Sequence, residues 1–247
     1  MRYNNVKNFN TVAMLRRHGG CIITLIKLRL MNKFSIKFYD KKNCVNPTDI
    51  KNKLFSHDNI PVIFQHQVHG NMGLAITKEN LGQYQPCLTY DSDYLITNLS
   101  QIGIGVLTAD CLPIILVDTK NDSIGVVHAG WRGTVERIIL NTITHMNQIF
   151  KTTPQDLRIF FGPCALSCCY EISEPFINQL PAWATAALKN NCFNLTLCNE
   201  LLLKELGITH KQIDKSYNEC TICNDRFCSY RKKPGDYTRQ MSIIWLN

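Results

Sequence analysis

Three short segments of the sequence each place a side chain that can bind a metal beside a tight turn. His69 follows an apolar run at residues 61–64, and Cys111 follows Asp110 between two apolar runs. His128 ends another apolar run and precedes an Ala-Gly-Trp-Arg-Gly sequence. One cysteine thiolate and two imidazoles suit Zn²⁺, and three protein ligands leave a fourth coordination position for water or substrate. The residue types therefore predict a catalytic metal site.

Three polar residues near these ligands are candidates for supporting roles. Arg132 carries a guanidinium that can bind phosphate or carboxylate, and it lies at the start of a predicted helix whose N-terminus favours anions. Asp110 is placed to orient a metal ligand through a hydrogen bond. Gln67 is a candidate for hydrogen bonding near the metal. We therefore expect Arg132, Gln67 and Asp110 to contribute to substrate binding.

Each of these residues, taken singly, also fits a purely structural role. A lone histidine after a strand, such as His69, is more often a satisfied polar residue than a ligand. A lone cysteine, such as Cys111, is more often a small buried apolar residue. Gly130 and Gly133 alone indicate only a tight turn. The metal hypothesis therefore depends on the combination of three strand-end turns, each with a ligand, and one nearby cation.

Short runs of β-branched and apolar residues predict the strands that must position these side chains. The runs are residues 32–38, 61–64, 94–97, 102–107, 113–118, 124–127, 157–161 and 241–246. The run at 113–118 is continuously apolar, which is typical of a strand buried on both faces. Strands and helices mix without strict alternation. This order predicts an α+β (irregular α/β) fold, with mixed β-sheets flanked by helices in a single domain.

Three helices are predicted from periodicity and capping. Apolar residues recur at spacings of three and four from Val135 to Ile149, so one face of that helix belongs to the core. Ser173, followed by Glu-Pro, is a typical helix start. Residues 199–206 form a short helix that ends at Gly207. The first helix follows a strand and a glycine-bearing loop, an order that places a site at the strand's carboxyl end.

Composition and charge narrow the classes of protein. The 247 residues are 45% hydrophobic, which is enough for one full core. No apolar run approaches the roughly 20 residues of a membrane span. The net charge is +8, but residues 1–30 hold six basic residues and no acidic one. The rest is nearly neutral, which argues against a nucleic-acid-binding face. We expect residues 1–30 to be a basic extension outside the fold.

The twelve cysteines are irregularly spaced in a long chain without a convincing export signal, which favours a reducing cytoplasm over a disulfide framework. We expect most of them to be small buried hydrophobic residues, including the adjacent Cys168 and Cys169. Cys220, Cys223 and Cys228 raise the alternative of a structural zinc knuckle in a non-catalytic binding module. That motif is strong only with a second pair at suitable spacing, so ordinary thiols are the favoured interpretation.

Several motifs in a fixed order resemble the YfiH-type laccase-domain family, whose members are also named polyphenol oxidase, peptidoglycan editing factor or purine nucleoside phosphorylase. The similarity covers roughly residues 60–245. The motifs are Gln67-Val68-His69-Gly70, Asp93-Tyr94-Leu95-Ile96-Thr97, Thr108-Ala109-Asp110-Cys111-Leu112-Pro113, His128-Ala129-Gly130-Trp131-Arg132-Gly133, Gly162-Pro163, Cys168-Cys169-Tyr170-Glu171, Cys220-Thr221-Ile222-Cys223 and Phe227-Cys228-Ser229-Tyr230-Arg231.

The resemblance implies a zinc ion held by His69, Cys111 and His128 in a single laccase-domain-like catalytic domain at residues 31–247. It implies phosphorolysis of purine nucleosides, namely adenosine, inosine and methylthioadenosine, to free base and ribose 1-phosphate, with adenosine deaminase activity in addition. The expected partners are small-molecule purine nucleosides and phosphate, with no nucleic acid and no membrane. We expect a cytoplasmic monomer or homodimer.

Two other enzyme activities stay open. A copper-dependent polyphenol oxidase needs many histidines, typically in His-x-His pairs, whereas this chain has seven histidines and no such pair. One set of two histidines and a cysteine can hold a single copper ion, so copper stays the alternative to zinc. A cysteine hydrolase acting on peptidoglycan precursors would use Cys111 as nucleophile and His128 as base. Metal content and alkylation distinguish the zinc enzyme from the cysteine hydrolase. A zinc-bound thiolate is poorly alkylated, whereas an activated free thiolate reacts quickly.

Overall fold

The computed structural model describes residues 33–50, 55–83 and 87–247. The predicted basic extension at residues 1–30 lies outside the described residues. Two six-stranded sheets and one two-stranded sheet form the β-structure of the described part. Among the helices in these ranges, none has the length and apolar character that a bilayer crossing requires.

The strands, in chain order, are β1 (Phe34–Phe38), β2 (Phe55–His57), β3 (Ile60–His66), β4 (Gly73–Ile76), β5 (Cys87–Asp91), β6 (Tyr94–Thr97), β7 (Gly103–Thr108), β8 (Leu112–Asp118), β9 (Ser123–Ala129), β10 (Leu157–Phe161), β11 (Leu188–Lys189), β12 (Cys192–Phe193), β13 (Ile213–Asp214) and β14 (Gln240–Leu246). The α-helices are α1 (Pro47–Ile50), α2 (Trp131–Val135), α3 (Ile138–Phe150), α4 (Glu174–Ile177) and α5 (Leu195–Glu205). Short 3₁₀ helices cover Lys41–Asn43, Leu81–Gln83, Pro154–Asp156, Ala182–Ala187 and His210–Gln212.

Both large sheets contain parallel and antiparallel pairs. The first sheet has the order β1-β14-β7-β3-β2, with β5 also paired to β3, and the second has the order β13-β10-β8-β9-β6-β4. Strand β3 runs parallel to β5 and β7, β4 runs parallel to β6, and β10 runs parallel to β13. The other pairs in the two sheets are antiparallel. The mixed sheets predicted from the sequence are therefore confirmed.

The second sheet is buried on both of its faces, and β8 shows how. Leu112, Ile114 and Leu116 pack on one side, in a cluster shared with α3 and α5. Ile115 and Val117 point the other way, into a cluster that includes residues of β7 and β14 from the first sheet. Successive side chains of a strand alternate between faces, so a strand covered on both sides is apolar at every position. This arrangement explains the continuous apolar run seen in the sequence.

The helix predicted across residues 135–149 is divided in two. Helix α2 has five residues, and Arg137 then adopts a left-handed conformation with φ of 64° before α3 begins. In α3 the core face matches the predicted spacing up to Met146, and Phe150 takes the next buried position. Ile149 is 45% exposed, so its predicted place on the core face is wrong. The turn at Arg137 rotates α3 relative to α2, which an unbroken periodicity does not reveal.

Helix α5 begins at Leu195, four residues before the predicted start. The side chain of Asn194 accepts a hydrogen bond from the backbone N–H of Leu197 at 2.9 Å, which caps the helix at this earlier point. Its C-terminal end is as predicted, because Gly207 follows with φ of 74°, a left-handed conformation that glycine adopts without strain. Ser173 occupies the N-cap position of α4, although its hydroxyl makes no capping hydrogen bond.

The free cysteines of the described residues differ in burial. The buried free cysteines of the described residues are Cys164, Cys198 and Cys220. Cys168 is exposed and Cys169 is partly exposed, so the expectation that this pair packs in the core is wrong. Both residues lie on a surface turn, where no strand or helix directs them inward. The sulfur atoms of Cys44 and Cys228 lie within bonding distance of each other, a pairing that the expectation of reduced thiols does not include.

Candidate functional site

The fold brings the three predicted metal ligands together. The ligand atoms of His69, Cys111 and His128 all lie within 4.8 Å of one another. His69 follows β3, Cys111 directly precedes β8, and His128 lies near the end of β9. In the β8–β9 pair Pro113 is opposite His128, which places the turn before β8 beside that histidine. The rings of His69 and His128 meet edge to face, with their centroids 4.8 Å apart.

Two residues at this site have left-handed backbones. The φ angle is 63° at His69 and 87° at Asp110, the residue before Cys111. Such angles are uncommon outside glycine and concentrate at functional sites. They lie in the turns after β3 and before β8, so that His69 is three residues past the end of β3 and Cys111 directly precedes β8.

Asp93 connects two of the ligands and is not among the site residues predicted from the sequence. Its carboxylate is fully buried and accepts a hydrogen bond from Nδ1 of His128 at 2.7 Å. The same carboxylate accepts backbone N–H groups of His69 at 3.0 Å and Gly70 at 2.7 Å. Asp93 directly precedes β6, and Tyr94 pairs with Val127, so Asp93 lies opposite His128. Asp93 stands directly before an apolar run that predicts a buried strand, and this position is a signal for a functional residue. The neighbouring residues do not show, however, which strand pairs with β6.

The hydrogen bonds explain how a buried carboxylate stays ionised. Burial raises the pKa of Asp93, but the hydrogen bond and charge of His128 and the backbone N–H groups of Gly70 and His69 outweigh burial, and the net pKa is lowered. The negative charge of Asp93 therefore persists next to His128. That charge fixes the orientation of the imidazole and directs Nε2 to the other ligands.

Without a metal, Cys111 and His128 form a thiolate–imidazolium pair. Burial raises the pKa of the Cys111 thiol, but the charge of His128 and hydrogen bonds from His128 and His69 outweigh it and lower the pKa to about 6. Burial lowers the pKa of His128, but the charge of Cys111 and the hydrogen bond to Asp93 outweigh it and raise the pKa to about 9. Cys111 is therefore a thiolate at neutral pH, which is the form that binds metals and attacks electrophiles.

The glycines of the loop after β9 permit close approach. A Cβ atom on Gly130 would lie 3.1 Å from Sγ of Cys111 and 3.4 Å from Cδ2 of His69. A Cβ atom on Gly133 would lie only 2.5 Å from the carbonyl oxygen of Gly70, which is backbone and cannot rotate away. The two glycines therefore let α2 lie directly against the turn that carries His69.

Two of the three residues expected to bind substrate hold neighbouring loops together. The side chain of Gln67 donates to the carbonyl of Leu107 at 2.7 Å and accepts from the Leu107 N–H at 2.8 Å. The carboxylate of Asp110 accepts the hydroxyl of Thr221 at 2.7 Å and the backbone N–H of Arg231 at 2.8 Å. These partners lie far away in sequence. Asp93, rather than Asp110, makes the hydrogen bond to a metal-site histidine.

Arg132 lies at the surface beside the site. Its guanidinium carbon is 4.7 Å from the centroid of the Trp131 ring, and the residue is exposed. Arg132 is the second residue of the five-residue α2. Because so few peptide dipoles are aligned in α2, the helix N-terminus that was expected to assist Arg132 adds little to anion binding. An anion at this position would therefore depend on the guanidinium rather than on the helix N-terminus.

Further residues near the ligands were not singled out from the sequence. Tyr170 is buried, and burial raises the pKa of its phenol, with a further contribution from the nearby charge of Cys111. The guanidinium carbon of Arg231 lies 4.9 Å from the Tyr170 ring centroid. Val68 and Met72, on either side of His69, are 47% and 70% exposed. His69 is thus flanked in the sequence by two exposed apolar side chains.

Comparison with known proteins places the chain in a family. The chain belongs to the family described as multi-copper polyphenol oxidoreductase laccase, whose model matches residues 12–247. It is 31% identical over 170 residues to a purine nucleoside phosphorylase of Clostridium acetobutylicum, which covers 64% of this chain and 71% of that protein. It is 28% identical over 204 residues to the purine nucleoside phosphorylase YlmD of Bacillus subtilis, which covers 77% of this chain and 73% of the relative.

A solved structure has the same fold. The crystal structure of the Bacillus licheniformis hypothetical protein YfiH matches with a TM-score of 0.67 and 28% sequence identity, over 75% of this chain and 74% of that chain. The family resemblance recognised in the sequence is therefore confirmed, and so is the α+β fold in a single domain. The named relatives indicate that the family includes enzymes.

Proposed function

We propose that this protein is a zinc-dependent purine nucleoside phosphorylase, which converts adenosine, inosine or methylthioadenosine with phosphate to free base and ribose 1-phosphate. Deamination of adenosine is a second activity of the same site. The observation that carries the proposal is the convergence of His69, Cys111 and His128, with Asp93 orienting His128. The names of the relatives in Clostridium acetobutylicum and Bacillus subtilis support the reaction and the substrate class.

The ligand set fits a catalytic zinc ion. One sulfur and two imidazole nitrogens, all within 4.8 Å of one another, match the donor types and number that zinc uses in catalytic sites. His128 is buried, Cys111 is half-buried and His69 is exposed, so the site opens to solvent on the His69 side. A bound zinc ion would supply Lewis acidity and lower the pKa of a coordinated water to about 7.

The protein's own groups prepare this ligand set. Asp93 holds the proton on Nδ1 of His128, which fixes the tautomer and leaves Nε2 as the donor atom. Because Asp93 also accepts the backbone N–H groups of His69 and Gly70, it fixes the two ligand-bearing elements relative to each other. Little reorganisation is then needed when substrate arrives.

Phosphorolysis needs an anion site next to the sugar. The bond between C1′ and the base nitrogen breaks, a bond between C1′ and a phosphate oxygen forms, and the departing base takes up a proton. C1′ gains positive character in this process, so phosphate must be held close to it. Arg132 is the residue we assign to phosphate, because Trp131 supports one face of its guanidinium while its N–H donors stay exposed. Gln67 and Asp110 support the pocket through their loops.

We assign the base to the exposed apolar side chains that flank His69 in the sequence. Val68 and Met72 are exposed on either side of His69, although large apolar side chains are usually buried. A purine ring placed on them would remove that surface from water, at about 25 cal/mol per Å². This position would put the base over the side of the site that is open to solvent.

A cysteine hydrolase acting on peptidoglycan precursors is the second candidate, and one observation favours it. Asp93, His128 and Cys111 stand in the order carboxylate, imidazole and thiolate, and the pKa of Cys111 is lowered to about 6. This order is typical of a nucleophile activated by an oriented base. The same atoms serve the zinc proposal, so only metal content and reactivity distinguish the two candidates.

A multi-copper oxidase is less well supported by the ligands. Among residues 33–50, 55–83 and 87–247, the other group of three or more metal-binding side chains consists of cysteines alone. A single copper ion can occupy a site of two histidines and one cysteine, but dioxygen reduction in multi-copper oxidases requires several coppers with more histidines. Zinc is therefore the metal we propose, with copper as the alternative.

We also propose that the enzyme acts in the cytoplasm on small molecules, as a monomer or homodimer. Residues 1–30 hold six basic residues and no acidic one, so they contribute +6 of the net charge of +8. The catalytic domain at 31–247 is therefore nearly neutral. Proteins that bind nucleic acid rely on clustered positive charge. The charge distribution therefore supports nucleosides and phosphate, rather than nucleic acid, as partners.

The test compares zinc content and base release in matched histidine variants of the full chain. His69→Ala should lose one equivalent of zinc and release no free base from inosine and phosphate. His66→Ala is the control, because His66 is an exposed histidine three positions away that pairs with Asp91 outside the ligand set. Unchanged zinc and unchanged base release in His69→Ala would contradict the proposal. Metal-free protein with a rapidly alkylated Cys111 would favour the cysteine hydrolase.

A further inference from the structure

Four cysteines outside the candidate active site lie close together. The sulfur atoms of Cys168, Cys169, Cys220 and Cys223, here named the thiol cluster, are all within 4.8 Å of one another. The sulfurs of Cys168 and Cys223 are 3.9 Å apart. In a tetrahedral zinc site with Zn–S bonds of about 2.3 Å, the sulfurs are about 3.8 Å apart. A disulfide needs about 2.05 Å, so the spacing is that of ligands around one ion.

We propose that the thiol cluster binds one structural Zn²⁺ ion, separate from the ion at His69, Cys111 and His128. Four thiolates complete the coordination of zinc and leave no position for water or substrate, so this ion stabilises the fold and does no chemistry. Closely placed thiolates repel one another, and a divalent cation at their centre removes that repulsion.

The polypeptide supports the cluster from two loops that are already joined. Cys168 and Cys169 lie on the turn that follows β10, whereas Cys220 and Cys223 lie between β13 and β14. The backbone N–H of Cys164 donates to the carbonyl of Glu219 at 3.1 Å. The backbone N–H of Thr221 donates to the carbonyl of Cys164 at 2.9 Å. These backbone bonds hold the two cysteine pairs opposite each other without a metal.

The Cys-x-x-Cys segment has hydrogen bonds that favour a thiolate ligand. Backbone N–H groups of Cys223, Leu166 and Ile222 hydrogen-bond to the sulfur of Cys220. Backbone N–H groups directed at a sulfur stabilise its ionised form, which is the form that binds zinc. Cys220 is the buried member of the cluster, and Cys168 and Cys223 are exposed. The ion therefore has an access route from solvent.

The cluster is connected to the candidate active site. Thr221, between the two cysteines of the Cys-x-x-Cys segment, donates its hydroxyl to the buried carboxylate of Asp110 at 2.7 Å. Asp110 precedes the ligand Cys111. An ion that fixes the loop around Thr221 thus also supports the turn that presents Cys111.

The test counts zinc in the full chain and in variants by elemental analysis. The double variant Cys168→Ser/Cys223→Ser removes the two exposed ligands, and we expect it to lose one equivalent of zinc relative to the wild type. Cys192→Ser is the matched control, since Cys192 is a partly exposed cysteine outside both ligand sets, and it should keep all the zinc. His128→Ala reports on the candidate active site alone. Equal zinc in the double variant and the wild type would overturn the structural site, whatever the result for His128→Ala.

A titration with Co²⁺ is a second measurement, and it does not depend on which metal the protein gained or lost during purification. Co²⁺ added to metal-free His128→Ala protein should give a strong thiolate-to-cobalt charge-transfer band and tetrahedral d–d bands that saturate at one equivalent. Both bands should be absent from the triple variant that combines His128→Ala with Cys168→Ser and Cys223→Ser. Absence of the bands in reduced His128→Ala protein that retains its far-UV circular dichroism would overturn the proposal.

Discussion

Asp93 is the residue on which the geometry of the candidate site most depends. It uses both carboxylate oxygens to hold His128 and the turn that bears His69, and it is fully buried. That His69, Cys111 and His128 are candidate ligands was predictable, because histidine and cysteine at strand ends are chemically distinctive. Asp93 was not, because its partners lie 23 and 35 residues away and become neighbours only through strand pairing.

Replacing Asp93 by asparagine should weaken zinc binding. The amide has no negative charge to hold the Nδ1 proton of His128, and outer hydrogen-bond partners of this kind are typically worth about 10–100-fold in metal affinity. Competition with a chelator would measure the change. Asp91→Asn is the control, because Asp91 is an exposed carboxylate that pairs with His66 outside the site. Equal zinc affinity in Asp93→Asn and the wild type would show that Asp93 does not orient the ligand.

Cys111 should be a reactive thiol in the metal-free protein. Its pKa is lowered to about 6, so the thiolate predominates above that pH and alkylation should slow as the pH falls through about 6. Burial raises the pKa of Cys198 to about 12, so that thiol should stay unmodified and serves as an internal reference. Mass spectrometry after iodoacetamide treatment would give both rates, and added zinc should protect Cys111. A midpoint near pH 9 would contradict the thiolate–imidazolium pair.

The elements that carry the site were largely predictable, and the junctions between them were not. The runs that predicted β6, β7, β8, β9 and β14 were recognisable because these strands are mostly apolar and buried along their whole length. The break between α2 and α3 at Arg137 leaves no mark in the apolar spacing. Likewise Gln67 and Asp110 were recognised as polar residues near the ligands, but their partners Leu107 and Thr221 depend on loop contacts 40 and 111 residues distant.

Gly133→Ala should destabilise the junction between α2 and the His69 turn. The new Cβ would lie 2.5 Å from the carbonyl oxygen of Gly70, and such overpacking costs about 1–3 kcal/mol. Alanine is otherwise the better helix former, so a loss of stability identifies the clash. Chemical denaturation would measure the free energy of unfolding. Gly82→Ala is the control, because no atom lies within 4 Å of its added Cβ, and it should change stability by less than about 0.5 kcal/mol. Equal stability of the two variants would contradict the close approach.

For the whole molecule, the sequence predicted a single α+β domain and its family, and the structure adds the order of its sheets. The second sheet is covered by helices on one face and by the first sheet on the other. Cys111 and His128 lie at strand ends of this second sheet, whereas His69 follows β3 of the first sheet. The thiol cluster could not be predicted from neighbouring residues in the sequence. A zinc knuckle of Cys220, Cys223 and Cys228 was only the alternative to ordinary thiols, because no second cysteine pair was visible at suitable spacing. Cys168 and Cys169 come from a turn about 50 residues earlier, which the bridge between Cys164 and Cys220 brings near.

The products formed from inosine by the full chain test the central claim most directly. Zinc-loaded protein would be incubated with inosine, with and without phosphate, and the base and the sugar product would both be quantified. The proposed phosphorolysis predicts equal amounts of hypoxanthine and ribose 1-phosphate, and no release of base when phosphate is omitted. Free ribose formed without phosphate, or no release of base by protein that retains zinc at His69, Cys111 and His128, would contradict it.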